Sequence, residues 1–302
     1  MSVLDGPRRE RRYVMHGGSP NWCTPIGGGV LRFDDGREVH ESTVIHLPPC
    51  QPTKIICVHL SYTSRGIESR NTPQPTEHPT YFMKPITALN GHGGEIVRPD
   101  DCKYLNYEGE FGVVIGKVTR NVTPDEAWDC MAGFVPVLDM GMHDFRDTDA
   151  GSMLRVKGPD GFCPIGPGLV RGVDPRKQTL RTYRNGLVVQ EAVIGEEMVW
   201  GPDYMVADIA RHITLVPGDL ILTGTPCHSR SLEPGDTIEL EITELGRLTN
   251  HVVSAPAPRA TGIGHPPSDT PEARRVALGV DERVPERFKA NYRAAARSAS
   301  GD

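Results

Sequence analysis

The sequence predicts a mixed, β-rich α+β fold with few helices, and three observations support this prediction. Short runs rich in β-branched residues recur along the 302-residue chain, with turn signals between them. The chain contains 33 glycines and 27 prolines but only 6% aromatic residues, which favours many short strands and turns. Two stretches carry helix signals, at residues 123–134 and 202–215. A chain of this length can bury a substantial core.

The N-terminal part is predicted to consist of strands and loops. Residues 1–12 are polar and are expected to be mobile. Residues 13–46 predict short strands with a hairpin turn at Asp34-Asp35-Gly36, and a rigid proline linker follows. Residues 54–62 predict a buried strand because β-branched residues dominate them. The polar, proline-rich stretch 63–80 is typical of an active-site lid or of an ordinary surface loop.

The remainder of the chain continues the same pattern. Thr123, Pro124 and Glu126 provide an N-cap, a first helical residue and a capping-box acid. Asn185-Gly186 predicts a tight hairpin turn. Residues 232–253 predict two alternating strands, and a tail rich in Pro, Ala and Arg follows, with one helix expected at 286–297. The predicted domains are a small N-terminal β domain (1–50), a larger domain (51–254) and a partly disordered tail (255–302).

Composition excludes several functional classes. The net charge is −6 without a basic block, which argues against binding to nucleic acid. No apolar run approaches the roughly 20 residues of a membrane helix, and no apolar segment follows the basic N-terminus as a signal peptide requires. The seven scattered cysteines lack a C-x-x-C pair, which argues against a disulfide framework and favours a reducing cytoplasm. Neither a phosphate loop nor a dinucleotide fingerprint is present.

Three acidic residues lie near predicted strand ends. Glu108 and Glu110 stand at i and i+2 before the apolar run 111–115, so a strand places both carboxylates on one face. Asp139 ends a second β-rich run at 134–138. Carboxylates that converge repel each other unless a cation lies between them, and oxygen ligands suit Mg²⁺ or Mn²⁺. The alternative is that Glu108 and Glu110 are solvated residues of an edge strand.

Several stretches together resemble the fumarylacetoacetate hydrolase family. They occur in order over about residues 54–253 and read YFMKPITAL, NYEGEFGVVIGK, MAGFVPVLDMGMHDF, VKGPDGFCPIGPGLV, LILTGTP and LEPGDTIELEITELGRLTNHVV. The resemblance extends to the branch named for hydroxymuconate and hydroxyheptadienedioate isomerases. It implies a fold of mixed β-rolls, a homodimer, a bound Mg²⁺ or Mn²⁺ and a small-molecule substrate with a 2-oxo or enol acid group.

The resemblance also implies roles for individual residues. The metal carboxylates of the family fall on Glu108, Glu110 and Asp139, and its active-site lysine falls on Lys157. The Gly-Thr-Pro loop that helps to hold the substrate carboxylate falls on Gly224, Thr225 and Pro226. This assignment agrees with the chemistry of a 2-oxo acid, which chelates a divalent cation through its carboxylate and carbonyl oxygens.

One departure from the family pattern bears on the reaction. Hydrolases of the family usually carry a His and a Glu three residues apart that activate water. Here Glu68 matches the Glu, but Arg65 stands in place of the His, and arginine does not act as a general base. His59, His92 and His143 are the candidate replacements, although a lone histidine is more often structural. We assign catalytic roles to Lys157, Glu68 and His143. We expect Arg65 to bind a distal carboxylate of the substrate.

These considerations favour a divalent-metal-dependent isomerase, tautomerase or decarboxylase of a 2-oxo dicarboxylate, acting through a metal-stabilised enolate. Such reactions need the cation and a proton relay but no activated water. Two alternatives stay open at this point. The chain could be a C–C hydrolase of acylpyruvates or related diketo acids with another histidine as base. It could also be a non-catalytic binding protein that retains the fold.

Overall fold

The computed structural model describes residues 1–69, 77–149, 151–260 and 262–278. Strands dominate, and most helices are a single turn long. The predicted β-rich α+β fold is therefore confirmed. In chain order the strands are Arg9–His16 (β1), Ser19–Gly27 (β2), Val30–Phe33 (β3), Glu38–His40 (β4), Ile45–Leu47 (β5), Ile55–His59 (β6), Thr80–Lys84 (β7), Leu89–Gly91 (β8), Glu95–Arg98 (β9), Leu105–Asn106 (β10), Gly109–Ile115 (β11), Met131–Leu138 (β12), Gly141–Met142 (β13), Cys163–Ile165 (β14), Gly168–Arg171 (β15), Thr179–Arg184 (β16), Leu187–Val193 (β17), Leu220–Leu222 (β18), Ser231–Leu232 (β19), Thr237–Ile242 (β20) and Gly246–Ser254 (β21).

Helices connect these strands. The α-helices are Thr63–Glu68 (α1), Pro124–Ala127 (α2), Leu154–Lys157 (α3), Ile194–Glu197 (α4), Pro202–His212 (α5) and Pro271–Leu278 (α6). The 3₁₀ helices are Glu41–Thr43, Ile86–Ala88, Trp128–Cys130, His143–Thr148 and Pro175–Lys177. None of the helices within the described ranges is long and apolar enough to cross a membrane.

The described strands form three sheets. The largest has 13 strands, and its main path runs β4-β3-β2-β1-β15-β12-β11-β18-β6-β7. A sheet of five strands has the order β17-β16-β20-β21-β9, and a small one has the order β13-β10-β19. One large cluster of buried apolar side chains extends between the sheets and α5. Strands β12 and β11 lie in the middle of the main path of the large sheet.

Strand β11 is buried along its whole length, between β12 and β18. Its sequence is nearly all apolar after Glu110, as expected for a strand that is covered on both faces. The alternative that Glu108 and Glu110 are solvated on an edge strand is therefore wrong. Glu110 belongs to β11, and Glu108 precedes it directly.

The expectation that residues 1–12 are mobile is wrong for most of this segment. Val3 is completely buried, and β1 begins at Arg9 and pairs with β15. The polar residues fit a strand because they form ion pairs, such as Arg12 Nε with Glu10 Oε1 at 2.6 Å. Strands β1 to β3 also enclose a small apolar cluster of their own. The separate N-terminal domain remains a prediction.

Several local predictions are confirmed by the backbone. Thr123 and Glu126 form the complete capping box of α2. Asn185 and Gly186 both have positive φ values, 51° and 79°, as a two-residue turn between β16 and β17 requires. Helix α5 ends at His212, a few residues earlier than the pattern suggested. The helix expected at 286–297 lies outside the described residues.

Candidate active site

The three predicted carboxylates meet at one point. Strands β11 and β12 are antiparallel with Gly109 opposite Leu138, and the Asp139 N–H donates to the Glu108 carbonyl at 2.8 Å. This register places Asp139 beside the glutamates. One carboxylate oxygen from each of Glu108, Glu110 and Asp139 lies within 4.8 Å of the other two, and the three residues are buried.

The cluster is electrostatically strained as it stands. Burial raises the pKa of Glu110 well above its usual value, and the nearby charges of Asp139 and Glu108 raise it further. Burial also opposes ionisation of Glu108, but Lys157, His143 and Arg65 outweigh it and hold the pKa of Glu108 well below its usual value. A divalent cation would relieve this repulsion, and three carboxylates are the donor set that Mg²⁺ or Mn²⁺ prefers. The residues present therefore fit such an ion.

Two buried lysines face the carboxylates. Lys157 Nζ lies 2.6 Å from Glu108 Oε2 and 2.9 Å from Asp139 Oδ2. Both carboxylates raise the pKa of Lys157 above its usual value, although burial opposes this. Lys84 Nζ lies 2.5 Å from Asp139 Oδ1 and is completely buried. Sequence reasoning missed Lys84, although it stands in one of the matching stretches and ends a strand at a buried position.

Arg65 and Glu68 form a buried network beside the cluster. Arg65 donates to Glu68 Oε2 at 2.6 Å and to Glu108 Oε1 at 2.9 Å. Glu68 also accepts from Arg230 at 2.6 Å and from the His228 backbone N–H at 3.1 Å. Burial raises the pKa of Glu68, but Arg230 and Arg65 outweigh it and lower the pKa to about 2. Arg230 carries no signal of its own in the sequence.

The three candidate histidines differ in position. His143 is buried, with Nε2 at 3.6 Å from Glu108 Oε1, and burial lowers its pKa to about 3 despite the contact with Glu108. His59 lines the same cavity. The suggestion that His92 could serve as the base is wrong. Its ring packs on His46 with centroids 4.9 Å apart, beside a different surface cavity.

The Gly224-Thr225-Pro226 loop closes another side of the site. The Gly224 N–H donates to Glu110 Oε2 at 2.7 Å, so this donor holds a metal-ligand candidate and not a substrate. Thr225 lines the cavity with Gly224, whereas Pro226 does not. Gln190 fixes the loop by donating to Thr225 Oγ1 and to the Pro226 carbonyl, each at 3.1 Å. Gln190 was not found from the sequence because it lies in the alternating strand β17, far along the chain from residues 224–226.

These side chains enclose a cavity of about 40 Å³. Its lining includes Arg65, His143, Arg146, Met153 and Lys157 around the carboxylates. A space of this size holds a few water molecules, so an organic acid enters only if lining side chains move. The site can thus offer three carboxylates, the ammonium group of Lys157 and the guanidinium groups of Arg65 and Arg146 to a small ligand.

The chain is similar to several known proteins. Residues 54–253 match the family model described as fumarylacetoacetate (FAA) hydrolase, C-terminal. The 4-hydroxyphenylacetate degradation bifunctional isomerase/decarboxylase of Salmonella dublin is 36% identical over 202 residues, covering 66% of this chain but only 46% of that protein. The 2,4-didehydro-3-deoxy-L-rhamnonate hydrolase of a Sphingomonas species is 36% identical over 210 residues, covering 66% and 73%.

A solved structure is also similar over most of the chain. The 5-carboxymethyl-2-hydroxymuconate delta-isomerase of Mycobacterium smegmatis superposes with a TM-score of 0.75 at 31% identity. It covers 82% of this chain and 100% of its own. Isomerases, decarboxylases and hydrolases are therefore all represented among the similar proteins.

Proposed function

Because the chain belongs to the fumarylacetoacetate hydrolase family, we propose that it is a divalent-metal-dependent isomerase, tautomerase or decarboxylase of a 2-oxo dicarboxylic acid. The observation that carries this proposal is the buried group of Glu108, Glu110 and Asp139, with oxygens within 4.8 Å of one another. Lys84, Lys157 and Arg65 compensate Asp139 and Glu108, but burial and both neighbouring carboxylates keep the pKa of Glu110 raised. A protein that only retained the fold would gain nothing from this arrangement.

Glu108, Glu110 and Asp139 would hold Mg²⁺ or Mn²⁺. The bound ion would supply Lewis-acid polarisation of the 2-oxo group and stabilise enolate charge on the substrate. The Gly224 N–H orients Glu110 for this task, and Lys84 orients Asp139. These contacts keep the ligands in place before substrate arrives.

We assign proton transfer and charge stabilisation to Lys157. Its Nζ lies between Glu108 and Asp139, and two carboxylates at 2.6 and 2.9 Å favour the ammonium form. Lys157 would therefore donate a proton to the substrate or hold negative charge that develops on it. His143, whose Nε2 lies 3.6 Å from Glu108 Oε1, would be the second group that relays a proton.

Arg65 and Glu68 support a reaction without water activation. Glu68 accepts from two guanidinium groups, so its carboxylate is poorly suited to remove a proton from water. Arg65 lines the cavity and would bind the distal carboxylate of the substrate. Thr225 would donate its hydroxyl to the carboxylate next to the 2-oxo group. The same proposal includes a homodimer, which the resemblance implies, and a location in the cytoplasm, which the cysteine pattern favours.

The second candidate is a C–C hydrolase of acylpyruvates or related diketo acids. It is favoured by His59 and His143, two imidazoles that line the cavity beside the carboxylates. Either imidazole would have to activate the water that Glu68 does not.

One experiment separates these functions. The purified protein is incubated with Mg²⁺ and a panel of 2-oxo acids in D₂O, and the products are followed by NMR. Exchange or migration of protons at C3, or loss of CO₂, supports the isomerase or decarboxylase. Release of acetate from acetylpyruvate supports the hydrolase. If neither occurs and calorimetry shows equal Mg²⁺ affinity for the protein and its Glu110→Gln variant, the chain is a non-catalytic relic.

A further inference from the structure

We propose that residues 262–278, here called the C-terminal clamp, position the 3₁₀ helix His143–Thr148 against the active-site cavity. The clamp lies beyond the matched family region, which ends at residue 253. It therefore adds a support to the site that the family domain does not include. Its role as a positioning segment rests on the proposed function, but its contacts with the 3₁₀ helix do not.

The 3₁₀ helix has two faces with different tasks. Side chains three residues apart are eclipsed in a 3₁₀ helix and therefore share a face. His143 and Arg146 both line the cavity. Asp144 and Asp147, one residue further along in each case, form the clamp face, which contacts the clamp through the Asp144 carbonyl and the Asp147 carboxylate. The cavity face and the clamp face thus belong to one short helix.

Ser268 holds the clamp face directly. Its backbone N–H donates to the Asp144 carbonyl at 2.6 Å, and its hydroxyl donates to Asp147 Oδ2 at 3.2 Å. On its other side, the Asp144 carboxylate accepts from the Lys103 backbone N–H at 2.7 Å. The residue that follows His143 is therefore held both by the clamp and by the loop before β10.

Asp269 reaches the same element through Tyr104. The Tyr104 hydroxyl donates to Asp269 Oδ1 at 2.7 Å, and Lys103 Nζ lies 3.2 Å from Asp269 Oδ2. The Tyr104 carbonyl in turn accepts from the His143 N–H at 2.9 Å. Two hydrogen bonds, one at each end of Tyr104, thus link the clamp with the backbone of the proposed catalytic histidine.

Helix α6 anchors the clamp. Thr270 Oγ1 accepts from the Ala273 N–H at 3.2 Å, and Arg274 Nε donates to Asp269 Oδ1 at 2.7 Å. Ala273 and Ala277 lie four residues apart, so they share one helix face, and both are buried. The helix packs on the 3₁₀ helix. Small side chains at these two positions permit the close approach.

The test uses full-length variants and two readouts. Ser268→Pro removes the N–H that reaches Asp144, and Asp269→Ala removes the acceptor of Tyr104; a variant with both changes removes both contacts. Ile263→Ser is the control, because Ile263 lies in the clamp but is 78% exposed. Hydrogen–deuterium exchange of the peptide spanning residues 143–149 is measured without substrate, and kcat and KM are measured on the best 2-oxo acid with saturating Mg²⁺.

We expect the double variant to exchange at least tenfold faster in this peptide, and Ile263→Ser to match the unchanged protein. The kcat per folded molecule should fall at least fivefold, because the clamp positions the proposed catalytic His143, and Asp269→Glu, which keeps an acceptor for Tyr104, should retain most of the activity. Unchanged exchange in residues 143–149 would overturn the proposal. So would a fall of kcat in proportion to the folded fraction with KM constant, because that indicates general destabilisation. If no 2-oxo acid is turned over, the proposed function is refuted. Hydrogen–deuterium exchange alone then tests the proposal about the clamp.

Discussion

Arg65 donates to Glu108 at 2.9 Å and thereby connects a metal-ligand candidate to the position where hydrolases of the family carry a water-activating histidine. The same guanidinium donates to Glu68 at 2.6 Å. With arginine at position 65, residues 65 and 68 form an ion-pair network and not a pair of side chains that activates water. This network favours the proposed reactions, which move protons on the substrate and need no activated water.

Replacing Arg65 by Met should raise KM for dicarboxylic 2-oxo acids about 100-fold, because a charge-assisted pair of hydrogen bonds to the distal carboxylate is lost. KM for monocarboxylic analogues should change less than about threefold. Initial rates with matched mono- and diacids measure the difference. Arg65→Lys is the control, since it keeps the charge but not the fork. Equal effects on both substrate classes would remove Arg65 from substrate recognition.

Replacing Glu110 by Gln should have opposite effects on metal binding and on stability. Mg²⁺ affinity should fall at least about 100-fold because one anionic ligand is lost. The metal-free protein should melt higher, by roughly 2–4 °C for each kcal/mol of repulsion removed, since burial and two nearby carboxylates disfavour the charge on Glu110. Calorimetry with Mg²⁺ and melting in EDTA measure the two effects.

Glu244→Gln is the control for both measurements, because the Glu244 side chain is 57% exposed and lies in a turn. A lower melting temperature of Glu110→Gln in EDTA would mean that the carboxylate is already well compensated without a cation.

The sequence predicted the centre of this site better than its surroundings. The period of two along a strand brought Glu108 and Glu110 together, and a strand that ends at Asp139 supplied the third carboxylate. Lys84 was missed because a single lysine at the end of a strand has the same appearance whether it is buried or exposed. Periodicity carries no information about which distant side chains meet.

The histidines and the tail illustrate the same limit. Nothing local separates His143, which lies against Glu108, from His92, which lies beside another cavity. The composition after residue 255 suggested a loose tail, yet in the described part Ser268 contacts the 3₁₀ helix His143–Thr148 and Asp269 contacts Tyr104. Such long-range contacts depend on the complete fold.

Lys84 and Lys54 form a matched pair for testing the buried ion pairs. Each ammonium group lies 2.5 Å from a buried aspartate, Asp139 and Asp219 respectively, but only Lys84 is at the site. Lys84→Met should destabilise the metal-free protein by about 3–5 kcal/mol and reduce kcat at least about 100-fold. Lys54→Met should also lower stability but leave kcat within about twofold. Urea unfolding and steady-state kinetics measure both, and similar kinetic losses would contradict a role for Lys84.

Glu68 should make the protein acid-sensitive. The pKa of Glu68 is about 2 in the folded protein against 4.5 normally, so the folded state binds fewer protons between these values. Its contribution, on the order of 3 kcal/mol, is present above pH 4.5 and is lost as the pH falls towards 2. Glu68→Gln should therefore be clearly less stable at pH 6, and the difference should shrink at pH 3. Denaturant unfolding at both values tests this, and a constant difference would rule out the ion pairs as its cause.

Gly224 should tolerate no side chain, because its backbone and its neighbours both forbid one. Its φ is +89°, and a Cβ would overlap the Ser61 hydroxyl. Gly186 has a similar φ of +79° with nothing within 4 Å, so Gly186→Ala isolates the backbone cost of about 1 kcal/mol. Gly224→Ala should cost roughly 2–3 kcal/mol more. It should also weaken Mg²⁺ binding, because the Gly224 N–H that orients Glu110 is displaced. Denaturant unfolding and calorimetry on both variants provide the comparison; equal losses of stability with unchanged Mg²⁺ affinity would show that the loop does not orient the metal ligand.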